Sequence, residues 1–141
     1  MTVTHQPIYP QSIKNWVVKF LPADTTSFKT IATGGPDGSR IDSMCATNTA
    51  TASASDMQFV ITISGVDYII DTVQIPVNSG FTNGIVSVNL LNNATKFLWL
   101  PYDGNGNRYL YLPSGSSLRA KLGATIATGK EISVFAQGGD F

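Results

Sequence analysis

Histidine and cysteine are nearly missing from this chain of 141 residues: His5 and Cys45 are the single example of each. One thiol cannot close an internal bridge, so no disulfide framework holds the fold, and Met44-Cys45-Ala46 reads as strand filler around a small buried thiol. That one imidazole lies in what reads as an extended arm, so the sequence predicts no Ser-His-Asp triad, Cys-His pair or multi-histidine metal site within one chain. Charge is scarce as well. Charged side chains make up 13% of the chain, nine basic against nine acidic, for a formal net charge of zero. No broad field therefore draws it to nucleic acid or to anionic lipid. No apolar run approaches the roughly 18 residues of a membrane-spanning helix, and the opening MTVTHQPIYPQSIK lacks the charged and apolar regions of a secretory signal. The sequence thus predicts synthesis in the cytoplasm, with no nucleic-acid partner and no membrane partner. Without secretion, Asn93-Ala94-Thr95 is a loop tripeptide and not a glycan acceptor.

Apolar and turn-forming residues fill the space these absences leave. Hydrophobic residues reach 43%, enough for one domain to bury a core without disulfides or metal. A neutral, lightly charged surface is poorly protected against association, which suits a protein whose surface is meant to be covered. Short β-rich runs recur: NWVVKF, SFKTIAT, RIDSMCAT, MQFVITI, DYIIDTV, GIVSVNLL, KFLWL, RYLYL, SLRAKLG and EISVFA. Several alternate, as in Phe59, Ile61 and Ile63 against Val60, Thr62 and Ser64, which is the period of a strand. Between them stand LPADTT, TGGPDGS, SGVD, PVNSG, DGNGN, PSGSS and ATGK, with Gly, Pro, Asn or Asp where turns want them. The pattern predicts an all-β, single-domain antiparallel β-sandwich, jelly-roll-like or a related Greek key, over residues 15–141. Residues 1–14, with Pro7 and Pro10 and no alternation, read as an extended N-terminal arm. The small polar stretch TNTATASASD reads as a strand end running into an exposed connection. Two hairpins are predicted, one turning at Ser64-Gly65-Val66-Asp67 and one pairing FLWL with YLYL around Asp103-Gly104 and Asn105-Gly106.

Chemistry-bearing motifs are few. Asp103, Asn105 and Asn107 match the opening of a calcium loop, but Arg108 stands where the glycine belongs and Ser114 where the bidentate glutamate belongs. One carboxylate is little charge for a hard cation, and Asp-Gly and Asn-Gly pairs already explain the loop as a hairpin turn. TGGPDGSR lacks the lysine and the following helix of a phosphate loop, and reads as a turn entering a strand near Arg40. The remaining carboxylates sit beside turns or strand ends, as solvated turn acids do. Trp99, Tyr102, Tyr109 and Tyr111 cluster around the 103–107 loop. They read either as core, subunit-interface or cross-strand neighbours, or as a platform for sugar rings, since such rings present an apolar face and a polar tip. The sequence predicts no catalytic residues, no cofactor and no enzyme.

Taken in order, LPADTTSFKTIATGGPDGSRIDSM, VDYIIDTVQIPVNSG, LPYDGNGNRYLYLPSGSSLRAKL and GKEISVFAQGGDF carry a resemblance. Over about residues 21–141 the chain resembles the small decoration, or cement, proteins of tailed bacteriophage heads. The resemblance implies a non-enzymatic, jelly-roll-like virion protein that self-associates as a dimer or trimer. It implies binding to the outer surface of the shell formed by the major capsid protein, where it stabilises the head by bridging neighbouring capsomers. It carries over no catalytic residues. Within this sequence the arm Thr2–Gln11, through Ile8 and Tyr9, is the first candidate for reaching a neighbour. The end Gly138-Gly139-Asp140-Phe141 is the second, through the Phe141 ring, although either segment can fold back on its own domain. Trp99 and Tyr102 are the rings to expect at an interaction surface. The alternative from a different class is a carbohydrate-binding or fibre- or tail-associated adhesion domain of a phage particle.

Overall fold

A computed structural model describes residues 10–141. Its elements are β1 (Ser12–Phe20), a single 3-10 turn (Pro22–Asp24), β2 (Lys29–Thr33), β3 (Ser39–Asn48), β4 (Ser55–Ile63), β5 (Val66–Ile75), β6 (Val88–Asn89), β7 (Leu110–Leu112), β8 (Ser117–Leu122) and β9 (Ile132–Asp140). Period-2 patterning explains most of them. In β8, Leu118, Ala120 and Leu122 are buried while Ser117, Arg119 and Lys121 alternate with them on the other face. In β9, Ile132, Val134 and Ala136 go inward and Phe135 and Gln137 go outward.

Pairing is nested and antiparallel throughout. β4 pairs with β5, β3 with β6 and β7, β2 with β8, and β1 with β9. Winding this ribbon on itself adds two further contacts, β3 with β9 and β4 with β8. The result is one sheet ordered β1-β9-β3-β6, with β7 sharing the β6 side of β3, and a second ordered β2-β8-β4-β5. This is the strand order of a jelly roll, so the predicted fold class is the observed one. The inner faces of both sheets close over a common core that includes Phe20, Ile41, Met44, Met57, Phe59, Leu118 and Leu122.

The predicted hairpin joins β4 and β5, with its turn confined to Ser64 and Gly65 while Val66 and Asp67 already belong to β5. Ser64 and Gly65 have φ values of 52° and 77°, both left-handed, the pair a type I′ turn requires. Three other expectations change. Residues 12–14, read as the end of the arm, belong to β1, and Gln11 already donates its amide to the Asp140 carbonyl at 2.7 Å. GIVSVNLL contributes only the two residues of β6. KFLWL, predicted as a strand, is a series of turns and bends. The second predicted hairpin is therefore reduced to one isolated bridge, Tyr102 with Arg108, and FLWL does not pair with YLYL.

Phe97 supplies the physical reason. Its φ of 54° is left-handed and incompatible with a strand. Its ring is fully buried, edge-on to Phe59 at 5.4 Å, and its amide donates to Asp71 Oδ2 at 2.9 Å. Burial of Phe97, together with Leu90, Leu91 and Leu100, folds residues 76–109 down onto the sandwich as a long pinned loop. Backbone bonds from the buried Asn48 and from Asn78 tie its start to the end of β3. Asn48 donates to the Ile75 carbonyl at 3.1 Å and accepts from the Ala50 amide at 2.8 Å, while its own amide donates to Ser79.

Candidate functional site

The outer face of the first sheet carries two features, a cleft near β7 and an apolar row across the middle of its strands. Near β7 the register sets Arg40 between Gly139 and Tyr111. Tyr111 lies between the buried Leu110 and Leu112, so its ring is directed outward. A turn at residues 35–38, closed by the Gly38 amide on the Gly35 carbonyl at 3.0 Å, places Asp37 at the rim. Gly38 is required there: its φ is 91°, and a Cβ would come within 2.6 Å of the Tyr111 hydroxyl oxygen. The Phe141 amide donates to the Gly38 carbonyl at 3.1 Å, which brings the Phe141 ring to 5.7 Å from that of Tyr111. Tyr109 lies 5.4 Å from the Arg40 guanidinium carbon and donates its amide to Pro101 at 3.2 Å. Asp37, Arg40, Pro101, Tyr109, Tyr111 and Phe141 together line an open cleft of 640 Å³.

A polar relay behind the cleft holds its floor. Ser39 is fully buried, donates its hydroxyl to Asp140 Oδ1 and accepts the Gly35 amide at 2.8 Å. Lys14 approaches the other Asp140 oxygen at 3.3 Å. The Ser39 hydroxyl, and then Lys14, hold the Asp140 carboxyl below the ordinary carboxylate range against the opposing effect of partial burial. β1, β9 and the 35–38 turn are thereby tied to one another. Arg40 is oriented from its own side, its Nε paired with Asp42 at 2.7 Å.

Arg108 organises the loop above. Its Nη1 donates to the carbonyls of Leu91, Asn93 and Lys96 at 3.2, 2.6 and 3.4 Å, and its Nη2 to the Tyr102 hydroxyl at 3.2 Å. The guanidinium carbon also stands 5.4 Å from the Tyr102 ring centroid. At the loop tip, Asp103 Oδ1 accepts the amides of Asn105 and Asn107 at 2.8 and 2.9 Å, and the Asp103 amide donates to the Asn107 carbonyl at 2.7 Å. The carboxylate is thus engaged in closing a turn. Among the described residues no three His, Cys, Asp or Glu side chains gather as a metal site.

The second feature is apolar. The register aligns Val17 with Phe135 and Phe135 with Cys45, so these three side chains form a row across β1, β9 and β3. Val17 and Phe135 are 60% and 51% exposed, and Ile13, further along β1, is 89% exposed. Grooves of 310 and 360 Å³ flank the Phe135 ring on its two sides. A separate apolar strip, Ile63, Val66, Tyr68 and Ile69, runs along the β4–β5 hairpin and the free edge of β5.

The residues singled out in the sequence fall in different places. Ile8 and Tyr9 lie outside the described residues. Trp99 is exposed, Tyr102 is exposed but gripped by Arg108, and neither lines the cleft. Phe141 does line it, with its ring against that of Tyr111. Arg40, Asp37 and Arg108 were missed as functional positions. The first two were visible as the charged residues of TGGPDGSR, but nothing local shows that Tyr109, Tyr111 and Phe141 converge on them.

No family model matches this chain, and no curated protein matches it. Among solved structures, the nucleoplasmin-like N-terminal domain of Drosophila FKBP39 is similar over 95% of this chain and 96% of that one, at 11% identity and a TM-score of 0.40. So low a score adds nothing to the topology read from the strand pairing.

Proposed function

We propose that this protein is a virion structural protein, a capsid decoration protein that binds the outer surface of the major capsid protein shell and bridges neighbouring capsomers. One observation carries the reading: in a chain of zero formal net charge, fifteen large apolar side chains among the described residues are exposed, several of them aligned in strips on sheet faces and edge strands. Scattered apolar residues need no explanation, whereas aligned ones mark contact surfaces. The resemblance noted in the sequence supplies the shell as the surface, the virion exterior as the place, and self-association as the mode. Many modest contacts repeated by symmetry can stabilise a shell without any deep pocket.

The experiment is co-sedimentation of the purified protein with expanded heads that lack it, scored for stoichiometry and for resistance of the heads to heat. Saturation at a fixed ratio to the capsid protein, with more resistant heads, is the expected result. The double variant Val17→Asp and Phe135→Asp, with charge placed in the apolar row, is expected to lower occupancy at equal protein concentration. Absence of saturable binding by the wild type overturns the reading. A second reading, a glycan-binding adhesion domain of the same kind of particle, is favoured by the aromatic cleft.

A further inference from the structure

The cleft beside the packed rings of Tyr111 and Phe141 has groups that the fold itself leaves unused. Asp37 has no hydrogen-bond or ion-pair partner among the described residues, and the terminal nitrogens of Arg40 likewise have none. An ionised aspartate only accepts hydrogen bonds and an arginine only donates them. Neighbouring hydroxyls on a sugar ring do both, so such a pair satisfies them while aromatic walls cover the apolar C–H face. The volume of 640 Å³ lies within the range of small-ligand sites.

Charge selects among the ligands that aromatic walls could take. Asp42 already balances Arg40, which leaves the negative charge of Asp37 facing the cleft and disfavours phosphate or an acidic sugar. A purely apolar ligand would desolvate Asp37 with no compensating bond. A quaternary ammonium would suit the rings and Asp37, but it carries no hydrogen-bond acceptor, so it would cover the terminal nitrogens of Arg40 without satisfying them. From this geometry we infer that the cleft formed by Asp37, Arg40, Tyr109, Tyr111 and Phe141 is a binding site for a neutral pyranose glycan. The inference rests on the glycan-binding reading above and is independent of shell binding.

The test presents the intact protein to an array of neutral and acidic glycans with choline included, then titrates the best neutral disaccharide by calorimetry. Neutral glycans are expected to bind in preference to acidic ones and to choline. Tyr111→Ala is expected to weaken binding by about tenfold, and Asp37→Asn, a change at an exposed position, to weaken it measurably with an unchanged circular-dichroism spectrum. Trp99→Ala, outside the cleft, is expected to leave affinity unchanged. The inference is overturned if no neutral glycan binds, if choline or acidic glycans are preferred, or if Asp37→Asn binds as the wild type does. Head sedimentation by the Asp37→Asn variant separates the two functions, because failure of glycan binding with normal sedimentation leaves the decoration reading standing.

Discussion

Replacing Phe97 by alanine and by glycine tests how the long loop is held. The ring is fully buried and packs edge-on against Phe59, so Phe97→Ala is expected to cost about 3–5 kcal/mol. For a domain of this size each kcal/mol moves the melting temperature by roughly 3–5 °C, so a fall of about 10–20 °C is expected. Glycine removes the same ring but also relieves a left-handed backbone, since the φ of 54° costs a residue with a Cβ about 1–2 kcal/mol. Against that stands the extra unfolded-state entropy of glycine, about 0.5–1 kcal/mol. The usual order is therefore expected to invert, with Phe97→Gly at least as stable as Phe97→Ala. Urea unfolding of both variants, compared at equal m-values, measures the difference. An alanine variant more stable than the glycine variant by over ~0.5 kcal/mol would refute the backbone argument. A total loss below about 1 kcal/mol for either would refute the anchoring role of the ring.

Arg108→Ala is expected to cost about 2–3 kcal/mol by stranding the carbonyls gathered on Nη1, and Arg108→Lys to restore only part of it, because an ammonium has no second nitrogen for the Tyr102 hydroxyl and no planar face to set over its ring. Hydrogen exchange should show the loss concentrated in residues 91–102, and uniform loss across both sheets would contradict this. Asp140 predicts an acid dependence. Its carboxyl is held below its ordinary value by Ser39 and then Lys14, so it contributes stability above the ordinary value of 3.8 that is lost as pH falls through the lowered one. Asp140→Asn should flatten the fall of the urea midpoint below about pH 4. Part of the slope should remain, because Asp24 is lowered in the same direction by the Leu21 amide and then Lys29; an unchanged slope would be evidence against the relay. Ser64→Asn, which creates the preferred type I′ pair with Gly65, should raise stability by about 0.5 kcal/mol, and a fall in the urea midpoint would count against that turn.

Local chemistry determined much of this protein. Alternation in MQFVITI and SLRAKLG specifies strands and their inward faces because side-chain direction in a strand has a period of two, whatever the partner. Ser64-Gly65 specifies a tight turn, and Asp103 with its Asn-Gly neighbours specifies a loop that closes on its own amides. Tertiary structure decided what depends on partners distant in the chain. KFLWL has the composition of a strand, but Asp71 captures the Phe97 amide and the core captures its ring, and no local pattern reveals a left-handed φ at a phenylalanine. Arg108 broke a calcium motif in the sequence and became the organiser of the loop once three carbonyls curled around it. Arg40, Tyr111 and Phe141 meet only because β3 pairs with both β7 and β9, a long-range register that alternation cannot encode.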